Sequence, residues 1–240
     1  MKKIAALILA VYAVFAFTAC FYSEEQVTLE SGKTQDITLS PPEGIVIDGS
    51  THNIVIREKF DEEKVISSLE VTEYTYKNEF WNYAFIAVRN NSDFTINISA
   101  DAKFYDETGA LVGAKSAGET TVGKGQEVLL CFMPDEDFAK MEYEISADED
   151  KWYESAVSAL SYESVKAKDK EIVSVKNNGS EAVEFSECEV LFFNGDKIVG
   201  YSSEYFTDDD FEIKPGKTIT KELNCYDEYD SVKFFFTGRR

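Results

Sequence analysis

From Phe94 to Phe104 the apolar residues fall on every second position, at Phe94, Ile96, Ile98, Ala100, Ala102 and Phe104. That is the period of a strand with one buried face. Just upstream, Ala84-Phe85-Ile86-Ala87-Val88 is an apolar strand ending in Arg89-Asn90-Asn91, a basic residue and a turn-forming Asn pair. The pattern returns later in the chain. Glu171-Ile172-Val173-Ser174-Val175-Lys176-Asn177-Asn178 aligns without a gap on Ala84 to Asn91. The segment Val183 to Phe193 then carries Cys188, Val190 and Phe192 in register, with a bulge expected near Phe185-Ser186.

The match continues through the rest of each copy. Tyr105 to Gly113 corresponds to Phe193 to Gly200, one residue shorter, and Asp, Asn and Gly supply the positive-φ positions of a hairpin turn. Val122-Gly123-Lys124-Gly125 corresponds to Ile213-Lys214-Pro215-Gly216, each leading into a strand: Val128-Leu130-Phe132 in one copy, Ile219-Leu223-Cys225 in the other. The last strands are Met141-Tyr143-Ile145 and Val232-Phe234-Phe236, and the first are expected over 65–71 and 156–162. A repeat of about ninety residues built from some six short strands has the size and pattern of an immunoglobulin-type sandwich. Helical readings of 138–145 and 153–162 are weaker than strand, because the flanking pattern alternates. Trp81 and Trp152 do not occupy equivalent places in the two copies.

The expected fold is all-β: tandem immunoglobulin-like antiparallel β-sandwiches over 61–148 and 149–240, preceded by a small N-terminal β segment over 20–60. Within that segment Val27-Thr28-Leu29, Ile37-Thr38-Leu39, Ile45-Val46-Ile47 and Ile54-Val55-Ile56 read as short strands, broken by Pro41-Pro42 and Gly49-Ser50. They either form their own module or add to the first sandwich.

Three features of the first copy, a strand ending in Asn-Asn-Ser, the F-Y-D-x-x-G-x-L-V-G hairpin at Phe104 to Gly113 and a Lys-Gly turn before the next strand, resemble the FxLyD domain. The second copy keeps Phe192, Gly195, Ile198, Val199 and Gly200 but has Phe193-Asn194 in place of the Tyr-Asp pair. The resemblance implies a small β-sandwich module of extracellular and lipid-anchored bacterial proteins. It brings no catalytic residues with it.

The N-terminus fits that setting. Lys2 and Lys3 precede an apolar run from Ile4 to Phe17 and then Thr18-Ala19-Cys20, the parts of a secretory signal. The run is shorter than the roughly twenty residues a spanning helix needs. Phe17-Thr18-Ala19-Cys20 resembles the bacterial lipobox, which implies cleavage between Ala19 and Cys20, a diacylglyceryl group on the Cys20 thiol and acylation, palmitate for example, of the new amino terminus. Plain secretion and an uncleaved anchor are the rival readings. The expected location is the outer face of the bacterial cell membrane, with the lipid at Cys20 as the membrane contact. Only Phe21 to Gln26 separate Cys20 from the first strand, so the folded part should start close to the membrane. If the domains are extended, the second repeat lies farthest from it.

The formal charge is −21, with 45 acidic against 24 basic residues. Such a surface repels nucleic acid and anionic headgroups. With Cys20 lipidated, Cys131, Cys188 and Cys225 remain, and Cys188 and Cys225 are the candidate disulfide because both take the apolar parity within one repeat. The single histidine, His52, sits in a turn with no evident partner. No phosphate loop, nucleophile elbow or His/Cys metal spacing occurs, and no cofactor is expected.

The second repeat is longer between Gly200 and Ile213. Asp208-Asp209-Asp210 there are weak calcium candidates, with Asp227-Glu228-Asp230 expected on a neighbouring turn. Tyr201, Tyr205, Phe206 and Phe211 form a candidate binding loop for an extracellular protein or a glycan; the alternative is that Phe206 and Phe211 cap the core. The expected role is therefore non-enzymatic binding or spacing at the cell surface. Its rival is a polysaccharide-acting enzyme or accessory using surface carboxylates, which requires a cleft joining two of them.

Overall fold

A computed structural model describes residues 59–207 and 210–240, together with the strand backbones of β1 (Val27–Thr28), β2 (Ile45–Ile47) and β3 (Asn53–Ile56). The signal segment with Ala19 and Cys20, the expected strand at 37–39, His52, Asp208 and Asp209 lie outside the described residues. The chain divides into two compact units, Met1–Phe60 and Asp61–Arg240. In the first, β1, β3 and β2 form an antiparallel sheet in that order.

The second unit opens with a helix. Residues 65–71, expected as a strand, instead split between α1 (Glu62–Ser68) and β4 (Glu70–Lys77). Asp61 is the reason: its carboxylate accepts from the Lys64 N–H at 3.2 Å, and Glu62 and Glu63 lie in the first turn, where the helix dipole favours negative charge. The second repeat begins likewise, with a 3₁₀ turn at Val157–Ala159 before β10 (Leu160–Lys166).

After these turns the two copies are built alike. In the first, β4 pairs with β5 (Asn82–Arg89), which pairs with β8 (Glu127–Phe132); β6 (Ile96–Tyr105) pairs with β7 (Leu111–Val122) and β9 (Lys140–Glu149). In the second, β10 pairs with β11 (Lys170–Asn177) and β11 with β16 (Thr218–Asn224); β13 (Glu187–Asn194) pairs with β14 (Lys197–Tyr205) and β17 (Ser231–Phe236). A short pair, β12 (Val183–Glu184) with β15 (Glu212–Ile213), completes it. All pairings are antiparallel, and each copy is two three-stranded sheets face to face. These are tandem immunoglobulin-like sandwiches.

The Asn residues that punctuate the repeat do more than turn the chain. Asn90 is fully buried and its Nδ2 donates to Phe94 O and Val122 O at 2.8 and 2.9 Å. Asn177, also fully buried, donates to Glu181 O and Ile213 O at 2.7 and 2.8 Å. Each side-chain oxygen accepts from the backbone two residues on, Ser92 N or Gly179 N. One side chain thus ties the turn after the strand to the chain entering the next one. The Asp of the F-Y-D hairpin has a similar local use, since Asp106 Oδ1 accepts from Thr108 N and Ala110 N while Gly109 takes φ 83°.

The extended arrangement of the two modules is not formed. The sheet β4-β5-β8 lays its outer face on the outer face of β14-β13-β17, with Phe85, Ala87 and Leu129 buried against Leu191, Ile198 and Phe235. Four sheets therefore stack in one unit. The run 84–88 carries the reason: Ala84, Ile86 and Val88 fill the sandwich core while Phe85 and Ala87 leave an apolar outer face that water disfavours. A short, fixed connection assists. Ala156 N–H donates to Gly238 O at 2.9 Å, and Glu154 and Arg240 exchange backbone bonds at 3.1 Å, so the C-terminal tail clamps the link between the sandwiches.

Candidate functional site

The joint between the sandwiches is apolar at its centre and polar toward one end. On β13 the odd-numbered residues face it, and they run Glu187, Glu189, Leu191, Phe193. Glu189, 8% exposed, accepts a hydrogen bond from the Tyr201 hydroxyl at 2.6 Å. Tyr201 in turn packs on Tyr83 and Phe85, with ring centroids 5.5 and 5.0 Å away. Farther along, Lys233 donates to Glu127 at 2.8 Å and lies over the Phe235 ring.

Beyond Glu189 the joint opens into a cleft of about 250 Å³ lined by Glu119 and Thr120 of β7, Glu187, Tyr205, Phe185 and the tail segment Thr237 to Arg239. Two carboxylates thus share one concave site. Burial, then the charge of Glu187, raises Glu119 to about 7; Glu187 is raised by burial, and Glu189 to about 8 by burial and by its two carboxylate neighbours. Tyr205 lies directly across from Glu187 in the β13–β14 ladder. Arg239 is held between rings, its guanidinium 4.0 Å from Tyr153 and 4.7 Å from Phe185.

The backbone around this cleft is strained. Among the described residues three non-glycine residues have positive φ: Thr121 (59°), Phe185 (48°) and Phe211 (61°). Thr121 follows the cleft residue Thr120 at a bulge in β7, where its hydroxyl donates to Asp150 at 2.7 Å. Phe185 lies at the bulge between β12 and β13 and stacks on Phe211, centroids 6.1 Å apart and planes 23° from parallel. Left-handed backbone at bulky residues is uncommon and clusters where function constrains the chain.

The expected binding loop is only partly a loop. β14 runs on through Tyr205, so Tyr201 and Tyr205 are strand residues: Tyr201 points into the joint, and Tyr205, 55% exposed, into the cleft. Phe206 is fully buried in the second core, beside Phe192 and Ile213. Phe211 is 62% exposed, so it does not cap that core. Asp210 pairs with Lys214, which occupies its carboxylate. Asp230 is not its neighbour. It accepts from Gly195 N–H at the hairpin starting β14, whereas Asp210 follows that strand's other end, about 30 Å away at roughly 3.3 Å per residue.

Cys188 and Cys225 share the second core but are free thiols. Cys225 Sγ sits at the level of Phe192 and Gly200, where even the Cβ of an alanine at 200 would come within 2.6 Å of it. Cys188 lies four positions back along β13, about 13 Å away, beyond the roughly 7 Å Cα separation a bridge allows. Common parity placed both inside without placing them at one height. Burial raises the thiols of both, and that of Cys131 to about 12, which leaves them unreactive. Thiol titration of unreduced, denatured protein should therefore count Cys131, Cys188 and Cys225 as free. A count lower by two would restore the bridge.

Nothing in the sequence marks Glu119, Glu187 or Arg239 as site residues. Each carboxylate is one of 45 acids, and the nearest sequence signal is the expected bulge at Phe185-Ser186, which places Phe185 but not its neighbours. No family model and no curated relative matches the chain. Solved structures with similar strand arrangements include red sea bream transglutaminase, at 8% identity and TM-score 0.25 over 71% of this chain and 29% of that one. A β-glucuronidase from glycoside hydrolase family 2 aligns at 10% identity and TM-score 0.19 over 79% of this chain and 25% of that one. This chain thus spans less than a third of either protein's length, and likenesses this slight carry no argument about activity.

Proposed function

We propose that this chain is an exported, lipid-anchored bacterial protein that works by binding at the cell surface, with the cleft between its sandwiches as the recognition site. The observation that carries the binding role is the cleft itself, where aromatic, acidic and basic side chains converge and strained backbone collects. The lipobox-like Phe17 to Cys20 and the FxLyD-like repeat support the location. Two or more acyl chains at Cys20 would hold the protein stably, at about 0.8 kcal/mol per buried methylene. Cys20→Ala should abolish labelled-palmitate incorporation and move the protein out of the membrane fraction. A Cys20→Ala protein that stays with the membrane at its processed mass would sink the anchor.

One observation favours a second reading. Glu119 and Glu187 meet in the cleft, and a carboxyl titrating near 7 is suited to general acid catalysis on a polysaccharide. Release of reducing ends from a polysaccharide by the native protein, lost in both Glu119→Gln and Glu187→Gln, would establish hydrolysis in place of binding.

A further inference from the structure

We infer that the cleft receives one pyranose ring of a neutral saccharide, its apolar face against the exposed aromatic rings and its hydroxyls on Glu119 and Glu187. The inference rests on the binding reading above and names its ligand class. Phe185 and Phe211 hold unfavourable left-handed backbone and yet bury little, at 47% and 62% exposed. Folding gains little from rings kept in the open at such a cost, so their return is sought in a ligand. They continue an ordered stack of Tyr153, the Arg239 guanidinium, Phe185 and Phe211, with Tyr205 exposed nearby in the cleft. The Phe185 N–H donates to Phe211 O at 3.1 Å, which fixes the pair to each other.

The other linings narrow the class. Anions are repelled by Glu119, Glu187 and the −21 charge, and Arg239 in the wall offsets part of the pull on cations. A wholly apolar ligand would cover the carboxylates without pairing them, which is costly. A sugar ring has a C–H face for aromatic contact and hydroxyls that can donate to a carboxylate or accept from a protonated carboxyl, so it can pair Glu119 and Glu187 in either state. About 250 Å³ is below the 300–1,000 Å³ typical of drug-sized sites, which suits a single ring.

The test uses the full lipidated protein in nanodiscs on an array of neutral cello-, chito-, xylo-, malto- and galacto-oligosaccharides, followed by calorimetry with the best disaccharide. The expected result is retention of at least one series. Phe211→Ala should weaken it about tenfold and Glu187→Gln by a similar factor, the scale of losing one stacking or charged contact. Phe80→Ala, an exposed ring on the β4–β5 turn, should bind normally, both alanine variants should melt like the native protein, and Glu187→Gln should melt no lower. Retention of no neutral series, or affinity unchanged in both Phe211→Ala, whose ring stacks on the cleft residue Phe185, and Glu187→Gln, would overturn the inference. A protein crosslinked at the cell surface in a cleft-dependent way, with no sugar bound, would overturn the ligand class and leave the binding reading standing. A sugar bound and then cleaved would do the opposite.

Discussion

Asn177→Ala should cost the protein about 2–3 kcal/mol of unfolding free energy, and Asn90→Ala about the same. Each asparagine is fully buried, and each satisfies one buried carbonyl, Val122 O or Ile213 O, and one part-buried carbonyl, Phe94 O or Glu181 O. A buried carbonyl left without a donor costs about 1–3 kcal/mol, and truncation also frees the backbone N–H of Gly179 or Ser92 that the side-chain oxygen had paired. Against a total of about 5–15 kcal/mol for an ordinary domain, that is a large fraction. Asn177→Asp should be worse, because it turns an oxygen toward carbonyl oxygens. Urea titration read by circular dichroism measures the loss through the midpoint and slope. Asn177→Ala within about 1 kcal/mol of the native protein would show that the clamp is decorative.

The second large effect is a loss of stability as pH rises. Glu189 carries a folded-state value of about 8 against an ordinary 4.5, through burial first and the charges of Glu119 and Glu187, opposed by the hydrogen bond from Tyr201. Glu119, at about 7, moves the same way. Because the folded protein holds these protons more tightly than the unfolded chain, their contribution is fully present below about pH 4.5. It is lost as pH climbs through 7 to 8. Carboxylates held low, such as Asp106 and Asp150, are ionised in both states above pH 5 and add no slope there. Thermal melts should therefore fall between about pH 5 and 8 and level off above that, by an amount on the order of a few kcal/mol in stability. Glu189→Gln keeps the shape, removes the titration and should flatten the decline. A native protein equally stable across that range, or a Glu189→Gln variant with the same slope, would remove Glu189 as the cause.

Both effects depend on features of different legibility. Asn90 and Asn177 stand out in the sequence because they recur at one place in an aligned repeat, although a turn role is all that their type suggests. The strands are legible for the same local reason: strict alternation over Phe94 to Phe104 describes a sheet with one face covered. The run 84–88 does not alternate, and neither do 128–132 or 190–193. Read strand by strand they supply one core, but their second apolar face is the joint. Apolar periodicity in a seven-residue element such as α1 is faint, and its clearer mark in the sequence is the cap, Asp61 before Glu62-Glu63. The cysteine pair fails in a further way, since parity gives the face of a strand and says nothing of height along it.

Side-chain alternation and turn chemistry act between near neighbours in the chain, so the all-β class, the repeat and most of the strands follow from sequence, whereas which strands pair is decided by the fold. The cleft has no such local cause. Glu119, Glu187, Tyr205 and Arg239 come from distant strands and the C-terminal tail, and as residue types they are commonplace on an acidic chain. They meet because apolar outer faces around Phe85 and Leu191 exclude water and draw the two sandwiches together. That docking desolvates Glu189 and Glu119 and changes their proton affinity, an effect of environment that no residue's identity carries alone.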